Sequence, residues 1–263
     1  MQIIAGFVIF LIFILIACLF IVFIVKKDRG QREPTGALFA AMGFGFLAVI
    51  LALILNGIFV PQELQDSIGK GFITLSNSQL LISAITIGVI EESVKALPLG
   101  LYLYKKPYFN EFTDGVIYFG ISAMTFSLVE NVVYLIQFGN AVGLSRIVFL
   151  SFLHASFSAV FGLTIIYRKL LNKPFWFMII GFLISVLLHS MYDFLSFKGG
   201  WAIIIIFLMA TILNVSLFII FRKAQKADEA RGLSAIGKNK FCKQCGKPNP
   251  KQLLYCSYCG KLT

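Results

Sequence analysis

Seven apolar segments constrain this chain more than any other feature of its sequence. Each is about as long as the ~20 residues that an α-helix needs to cross the hydrocarbon core of a bilayer. They cover residues 3–25, 36–60, 80–104, 112–138, 147–167, 175–197 and 201–221. Because a backbone inside a bilayer has to satisfy its own hydrogen bonds, the spanning elements should be helices. The sequence therefore predicts an all-α bundle of about seven transmembrane helices.

Composition agrees with a lipid bilayer as the main solvent. Hydrophobic residues make up 59% of the 263 positions and charged residues 13%, whereas soluble chains carry about 25% charged residues. The apolar part, residues 1–221, forms the predicted bundle, residues 222–240 form a basic linker, and residues 241–263 form a small cysteine-containing module. A polar re-entrant segment at about 67–78 is an alternative eighth element.

The basic residues predict how the bundle is oriented. Lys and Arg near helix ends are retained in the cytoplasm. Most of the 23 basic residues follow the odd-numbered segments or lie in the tail, and the other side holds Lys70, Arg146 and Lys198. We therefore expect a multi-pass protein of the cell membrane, with its N-terminus outside and its C-terminal tail in the cytoplasm. Topology explains the net charge of +11, and nucleic acid is not an expected partner.

Ionisable residues lie inside four of the apolar segments. Because a charge at the bilayer centre costs at least ~2.5 kcal/mol, such groups face a bundle interior and mark functional sites. They are Glu91, Glu92, Lys95, Asp114, Glu130, His154, His189 and Asp193. At ~1.5 Å of rise per residue, Glu91, Glu130, His154 and His189 share a layer roughly 10 to 16 Å from the outer face. Asp114 lies near the cytoplasmic end, where we expect hydration.

Spacing alone leaves several roles open for these residues. Lys95 can pair with Glu91 or Glu92, because residues three or four apart share a helix face. Glu92 is then as consistent with a structural ion pair as with catalysis, and His154 with a hydrogen-bonded core histidine. A proton or cation transporter or sensor would also place such groups in mid-membrane, and it is the alternative function. A catalytically inactive receptor for a partner helix is a third.

Four motifs follow one another along this region. Residues 91–95 read EExxK, residues 112–118 read FTDGVIY, residues 126–131 read FxxxEN and residues 189–193 read HxxxD, with His154 before the last. In this order, over about 80–197, they resemble the PrsW family of bacterial intramembrane proteases, which is related to the CAAX prenyl endopeptidases. Two positions depart from relatives: Asp193 stands where many carry Asn, and Glu130 where the prenyl endopeptidases place His.

The resemblance implies hydrolysis of a peptide bond in or near a membrane segment of a protein substrate, as in anti-sigma-factor processing. Our hypothesis assigns Glu91, or less readily Glu92, to deprotonation of the attacking water, helped by Glu130 or His154. His189 would stabilise the oxyanion. In a metal-dependent alternative, two histidines and a carboxylate hold zinc with one position open for water. No HExxH motif favours it, and we expect a glutamate mechanism without an intramembrane metal.

The tail carries a second kind of site. Cys242, Cys245, Cys256 and Cys259 form a CxxC…CxxCG pattern. This pattern is typical of a zinc ribbon, in which four thiolates hold one structural Zn²⁺. A module of this size has too small a core to fold without the metal. We therefore expect a zinc ribbon that regulates the bundle or docks a cytoplasmic protein partner.

Overall fold

A computed structural model describes residues 2–70, 75–149, 152–231, 239–242, 248–250 and 258. This part of the chain forms nine helices and two short strands. The helices are α1 Gln2–Lys27, α2 Thr35–Phe59, α3 Gln62–Lys70, α4 Asn77–Tyr104, α5 Phe112–Phe138, α6 Asn140–Phe149, α7 Leu153–Leu171, α8 Phe175–Lys198 and α9 Ala202–Ala230. In the tail, β1 Asn239–Phe241 pairs antiparallel with β2 Pro248–Pro250. The prediction of a helical membrane bundle is confirmed.

Five of these helices are long and apolar enough to cross a membrane: α1, α2, α5, α8 and α9. Two further helices, α4 and α7, coincide with predicted apolar segments but do not meet that test. Both carry ionisable residues of the candidate site, among them Glu91 and Lys95 in α4 and His154 in α7. Helices α4 and α7 bury polar side chains inside the bundle, and these polar residues lower the mean hydropathy of both helices.

The structure differs from the predicted segments at three places. The predicted fifth segment, 147–167, is divided between α6 and α7: Gly139, with φ 82°, ends α5, the short helix α6 follows and ends at Phe149, and α7 begins at Leu153. Where a re-entrant segment was considered, α3 is a short helix that buries Leu64 against Val60 and Leu80; residues 71–74 lie outside the described part. Finally, α9 continues to Ala230, well beyond residue 221.

The centre of the bundle is α5, which contacts α1, α2, α4, α6, α7 and α9. It approaches α7 closely at two glycines. A Cβ atom on Gly162 would lie 2.2 Å from the carbonyl oxygen of Gly115, and one on Gly115 would lie 2.6 Å from the carbonyl oxygen of Gly162. Small residues at such a crossing let two membrane helices approach backbone to backbone. This contact sets the separation of α5 and α7 at their crossing.

We expect Gly162→Ala to lower the free energy of unfolding by about 1 to 3 kcal/mol, because the added methyl group overpacks the α5–α7 crossing. Unfolding in detergent micelles measures the loss. Gly43→Ala is the matched control, because a Cβ atom there meets nothing within 4 Å, and alanine favours a helix over glycine. Equal losses in the two variants would contradict the close approach of α5 and α7.

Carboxylates connect the elements at the predicted cytoplasmic end. Asp228 of α9 accepts hydrogen bonds from the backbone N–H groups of Phe112 (2.7 Å) and Thr113 (2.9 Å). It therefore caps the first turn of α5, where an anion is favoured, and this contact accounts for the extension of α9. Asp114 accepts a hydrogen bond from the backbone N–H of Glu111 at 2.8 Å and is fully buried. The expectation that Asp114 is hydrated was wrong, because α9 covers this end.

Glu33, in the α1–α2 connection, should make stability depend on pH. Burial raises the pKa of Glu33 from 4.5 to about 8, against the lowering effect of its bonds with Asp114 and Tyr118. The folded state then keeps a proton that the unfolded chain releases above pH 4.5. This contribution to the free energy of unfolding is fully present below that pH and is lost as the pH rises to about 8.

We therefore expect Glu33→Gln to show a shallower loss of stability with rising pH than the wild type, measured as melting temperature in detergent between about pH 5 and 9. The matched control is Glu63→Gln, at an exposed position of α3, which should keep the wild-type slope. Identical slopes for Glu33→Gln and the wild type would show that Glu33 releases its proton equally in both states.

Candidate active site

Four helices bring the six predicted catalytic residues into one cluster between α4, α5, α7 and α8. The rings of the two histidines lie 5.1 Å apart, centroid to centroid. Both histidines and both acids of α4 are buried. The members are Glu91 and Glu92 of α4, Glu130 of α5, His154 of α7, and His189 and Asp193 of α8. The layer predicted from helix rise therefore corresponds to a real convergence of side chains.

Glu92 forms an ion pair with Lys95 and a hydrogen bond that orients His189. Its Oε1 lies 2.6 Å from Nζ of Lys95 and 2.8 Å from Nδ1 of His189. Its Oε2 accepts a hydrogen bond from Ser158 at 3.3 Å. A carboxylate on one ring nitrogen fixes the orientation of an imidazole and leaves the other nitrogen directed at the site. Of the two roles left open by the sequence, the geometry of Glu92 matches the structural ion pair.

His154 is held in a similar way. Its Nε2 lies 3.1 Å from Oε2 of Glu130, and its Nδ1 lies 3.0 Å from Nζ of Lys95. Oε2 of Glu130 is in turn 2.7 Å from Nη2 of Arg146. Because both ring nitrogens have charged partners within the cluster, His154 belongs to the site and is not an isolated core histidine.

Glu91 differs from Glu92 because one of its carboxylate oxygens makes no hydrogen bond with the described residues. Oε1 accepts a hydrogen bond from the side-chain amide of Asn56 at 3.3 Å. Oε2 is buried and makes no hydrogen bond with the described residues, and it lies 3.5 Å from Nε2 of His189. The same nitrogen is 3.6 Å from Oδ2 of Asp193. The adjacent acids therefore diverge, and Glu91 is the one that can act on a bound molecule.

A cavity of about 400 Å³ opens beside Glu91. It lies between α2, α4 and α5, and α3 covers one side. Apolar residues such as Leu53 and Phe126 form part of its wall, and Glu91, Glu130 and Gln65 supply polar groups. A largely apolar pocket with a few convergent polar groups is the usual form of a binding site. Glu91 therefore borders a space that can hold water and part of an extended peptide.

Two residues of the cluster were missed in the sequence. Arg146 was counted only as a basic residue of an outer connection, yet it is buried and ion-paired with Glu130. Asn56 was passed over within the second apolar segment, although it is the one amide in α2. An Asn in an otherwise apolar span was the available signal, since such residues mark hydrogen bonds inside bundles. For Arg146 the sequence carried no comparable signal.

Glu91, His154 and His189 resemble a metal-binding set in type and spacing. Each offers one donor atom, and these atoms lie within 4.8 Å of one another; two imidazoles and a carboxylate are ligands that zinc accepts. The hydrogen bonds of His154 do not fit. The ammonium of Lys95 can only donate, so Nδ1 accepts and Nε2 carries the proton towards Glu130. As arranged here, His154 has no free lone pair for an ion.

The chain was compared with known proteins. Residues 33–221 match the model of a family described as PrsW family intramembrane metalloprotease. Protease PrsW of Clostridioides difficile (strain 630) is 32% identical over 197 residues, 72% of this chain and 79% of the relative. Protease PrsW of Geobacillus kaustophilus (strain HTA426) is 25% identical, covering 66% and 74%, and that of Bacillus subtilis (strain 168) is 25% identical, covering 76% and 87%.

No solved structure matches this chain. The family match covers more than half of the chain and includes every residue of the cluster described above. The family is one of peptide hydrolases that act on membrane proteins. The chain belongs to the PrsW family of intramembrane proteases.

Proposed function

We propose that this chain hydrolyses a peptide bond in or near a membrane segment of its substrate, with Glu91 as the group that deprotonates the attacking water. The observation that carries the proposal is that Glu91 lines the cavity while its buried Oε2, which makes no hydrogen bond with the described residues, lies 3.5 Å from Nε2 of His189. A general base has to stand within reach of water and of the polarised carbonyl. Of the two acids in the EExxK motif, Glu91 alone lines this cavity.

The reaction follows from these positions. Glu91 accepts a proton from water, and the hydroxide adds to the substrate carbonyl carbon. His189 acts as an imidazolium, because its Nδ1–H donates to the carboxylate of Glu92 and its second proton is on Nε2. Nε2–H donates a hydrogen bond to the resulting oxyanion. The C–N bond then breaks, and the proton taken up by Glu91 passes to the leaving amine. The products are a new carboxyl terminus and a new amino terminus.

Asp193 and Glu130 support the two histidines in this scheme. Asp193 lies 3.6 Å from Nε2 of His189, so its carboxylate helps to keep a proton on that nitrogen. A neutral oxyanion donor, which an Asn at this position could be, is not a role for a carboxylate. Glu130 accepts a hydrogen bond from Nε2–H of His154 and holds that ring beside His189.

A topology with seven membrane crossings suits this activity. Besides the five apolar helices, α4 would cross the membrane, because it turns Glu91 and Lys95 inwards while Leu97 and Leu101 are exposed on its other face. The centrally packed α7 would be the seventh. The basic residues favour an N-terminus outside and a cytoplasmic tail. The substrate class that we propose is a membrane protein of the anti-sigma-factor type.

For the tail we propose a structural zinc ribbon that docks a cytoplasmic partner or regulates the bundle. Cys242 is buried directly after β1, and the pairing of β1 with β2 supports a hairpin around the first CxxC pair. The other three ligands, Cys245, Cys256 and Cys259, lie outside the described residues.

Metal analysis should separate the two possible mechanisms of hydrolysis. We expect zinc in the wild type, bound by the tail, and none in a full-length variant with Ser at Cys242, Cys245, Cys256 and Cys259. A chelator should leave cleavage by this four-serine variant unchanged. An ion that remains in the variant and disappears on further His189→Ala substitution would instead favour metal-dependent hydrolysis.

The function is tested by comparing new protein termini in the membrane fraction of cells that express the wild type or Glu91→Gln at equal abundance. New termini within or beside transmembrane segments, absent with Glu91→Gln, are the expected result, and they identify the substrates. Matching profiles would remove the support for hydrolysis by Glu91, and ion flux would then be the activity to measure.

A further inference from the structure

Arg146 lies outside every motif that marks the site, yet its side chain ends inside the site. We propose that Arg146 is a positioning residue for hydrolysis: it fixes the carboxylate of Glu130, and Glu130 in turn fixes the imidazole of His154. The inference rests on the proposed function, in which His154 stands beside the histidine that donates to the oxyanion.

The guanidinium of Arg146 meets three residues of α5 at once. Nη2 lies 2.7 Å from Oε2 of Glu130, and Nε lies 2.6 Å from Oδ1 of Asn131. The guanidinium carbon stands 3.9 Å from the ring centroid of Tyr134. A planar fork that donates in two directions and stacks on a ring is specific to arginine, because the ammonium of lysine offers neither the fork nor the plane. The contact therefore fixes direction as well as charge.

Oε2 of Glu130 is shared between Arg146 and His154, at 2.7 and 3.1 Å. The position of this one oxygen decides where the His154 ring stands. Both Arg146 and Asn131 are buried, so water does not replace the guanidinium freely. The carboxylate of Glu130 is partly buried, so without its cation it would be poorly compensated and no longer held in this one orientation.

The cluster thus contains two chains of the same kind. Lys95, Glu92 and His189 form one, with contacts of 2.6 and 2.8 Å. Arg146, Glu130 and His154 form the other. In each chain a cation holds a carboxylate and the carboxylate holds an imidazole. The EExxK motif supplies the cation of the first chain, whereas α6 supplies that of the second, which gives this short helix between α5 and α7 a function.

The test compares cleavage by purified full-length Arg146→Gln, Arg146→Lys and the double variant Arg146→Gln/Glu130→Gln. Loss of a residue that orients a ligand or catalytic histidine typically costs about 10- to 100-fold in activity. We expect Arg146→Gln to lower kcat by this factor with little change in KM, and Arg146→Lys to recover part of it. Arg168→Gln is the matched control, because Arg168 bonds the backbone of Lys173 at an exposed position.

The double variant distinguishes positioning from a purely structural role. Removing both charges leaves no uncompensated carboxylate, so its melting temperature should return towards that of the wild type while kcat stays low. Recovery of kcat together with the melting temperature would overturn the inference, as would wild-type kcat in Arg146→Gln. If Arg146→Gln does not fold, the lysine and double variants decide in the same way. In each case Glu91→Gln must be inactive; an active Glu91→Gln refutes the proposed function itself.

Discussion

Glu91→Gln should cleave substrate roughly 10²- to 10⁴-fold more slowly than the wild type, the range expected when a general base is removed. Its melting temperature should not fall. The reason is that Oε2 of Glu91 is buried without a hydrogen bond to the described residues, so replacing the charged group with an amide of the same shape relieves a cost of burial. Steady-state kinetics in detergent or lipid, with melting curves of the same samples, measure both effects.

A loss of activity that follows a loss of folding would contradict this account of Glu91. Asn56→Ala serves as a graded companion, because Asn56 donates to Oε1 of Glu91 at 3.3 Å. It should reduce kcat by a smaller factor than Glu91→Gln, since it removes one contact of the base and leaves the base itself. An Asn56→Ala variant less active than Glu91→Gln would reverse the order that the geometry predicts.

Glu92→Gln should lose both stability and activity, in contrast to Glu91→Gln. Glu92 and Lys95 are fully buried and 2.6 Å apart, and removing one partner of a buried ion pair typically costs about 3 to 5 kcal/mol, because the other charge stays uncompensated. Activity should fall as well, since Glu92 bonds Nδ1 of His189 at 2.8 Å. The fall in unfolding free energy and the fall in kcat are measured on one preparation.

A second substitution separates these two effects of Glu92. In Glu92→Gln/Lys95→Met both charges are gone and the volume is kept, so stability should largely return, as happens when apolar residues replace buried ion pairs. Cleavage should not return, because His189 still lacks its carboxylate. A double variant that regains both would mean that Glu92 acts only through the fold.

The sequence predicted the layer of the site because helices have a constant rise. Glu91, Glu130, His154 and His189 lie on four helices, and counting residues from the predicted outer ends brings them to one depth. The motif resemblance added the order of these residues and the family. Six of the seven predicted apolar segments each correspond to one long helix, since the thickness of a bilayer selects the length of a spanning helix.

Side-chain direction could not be predicted in this way. Glu91 and Glu92 are adjacent, and the packing of α4 against α2 and α8 decides that Glu92 meets His189 while Glu91 lines the cavity. The position of Arg146 depends on the short helix α6, which follows the turn at Gly139 and which the sequence pattern did not predict. The contact of α9 with the start of α5, where Asp228 accepts the backbone N–H of Phe112, joins residues more than a hundred positions apart in sequence.

The most direct measurement places the purified protein in lipid vesicles with a membrane-spanning substrate in water enriched in ¹⁸O. The account predicts that the wild type generates a new carboxyl terminus containing one oxygen atom from water, without ion flux across the vesicle membrane, and that Glu91→Gln yields no such product while remaining folded. Cleavage by folded Glu91→Gln at the wild-type rate, or ion flux that Glu91→Gln abolishes with no peptide product, would contradict it.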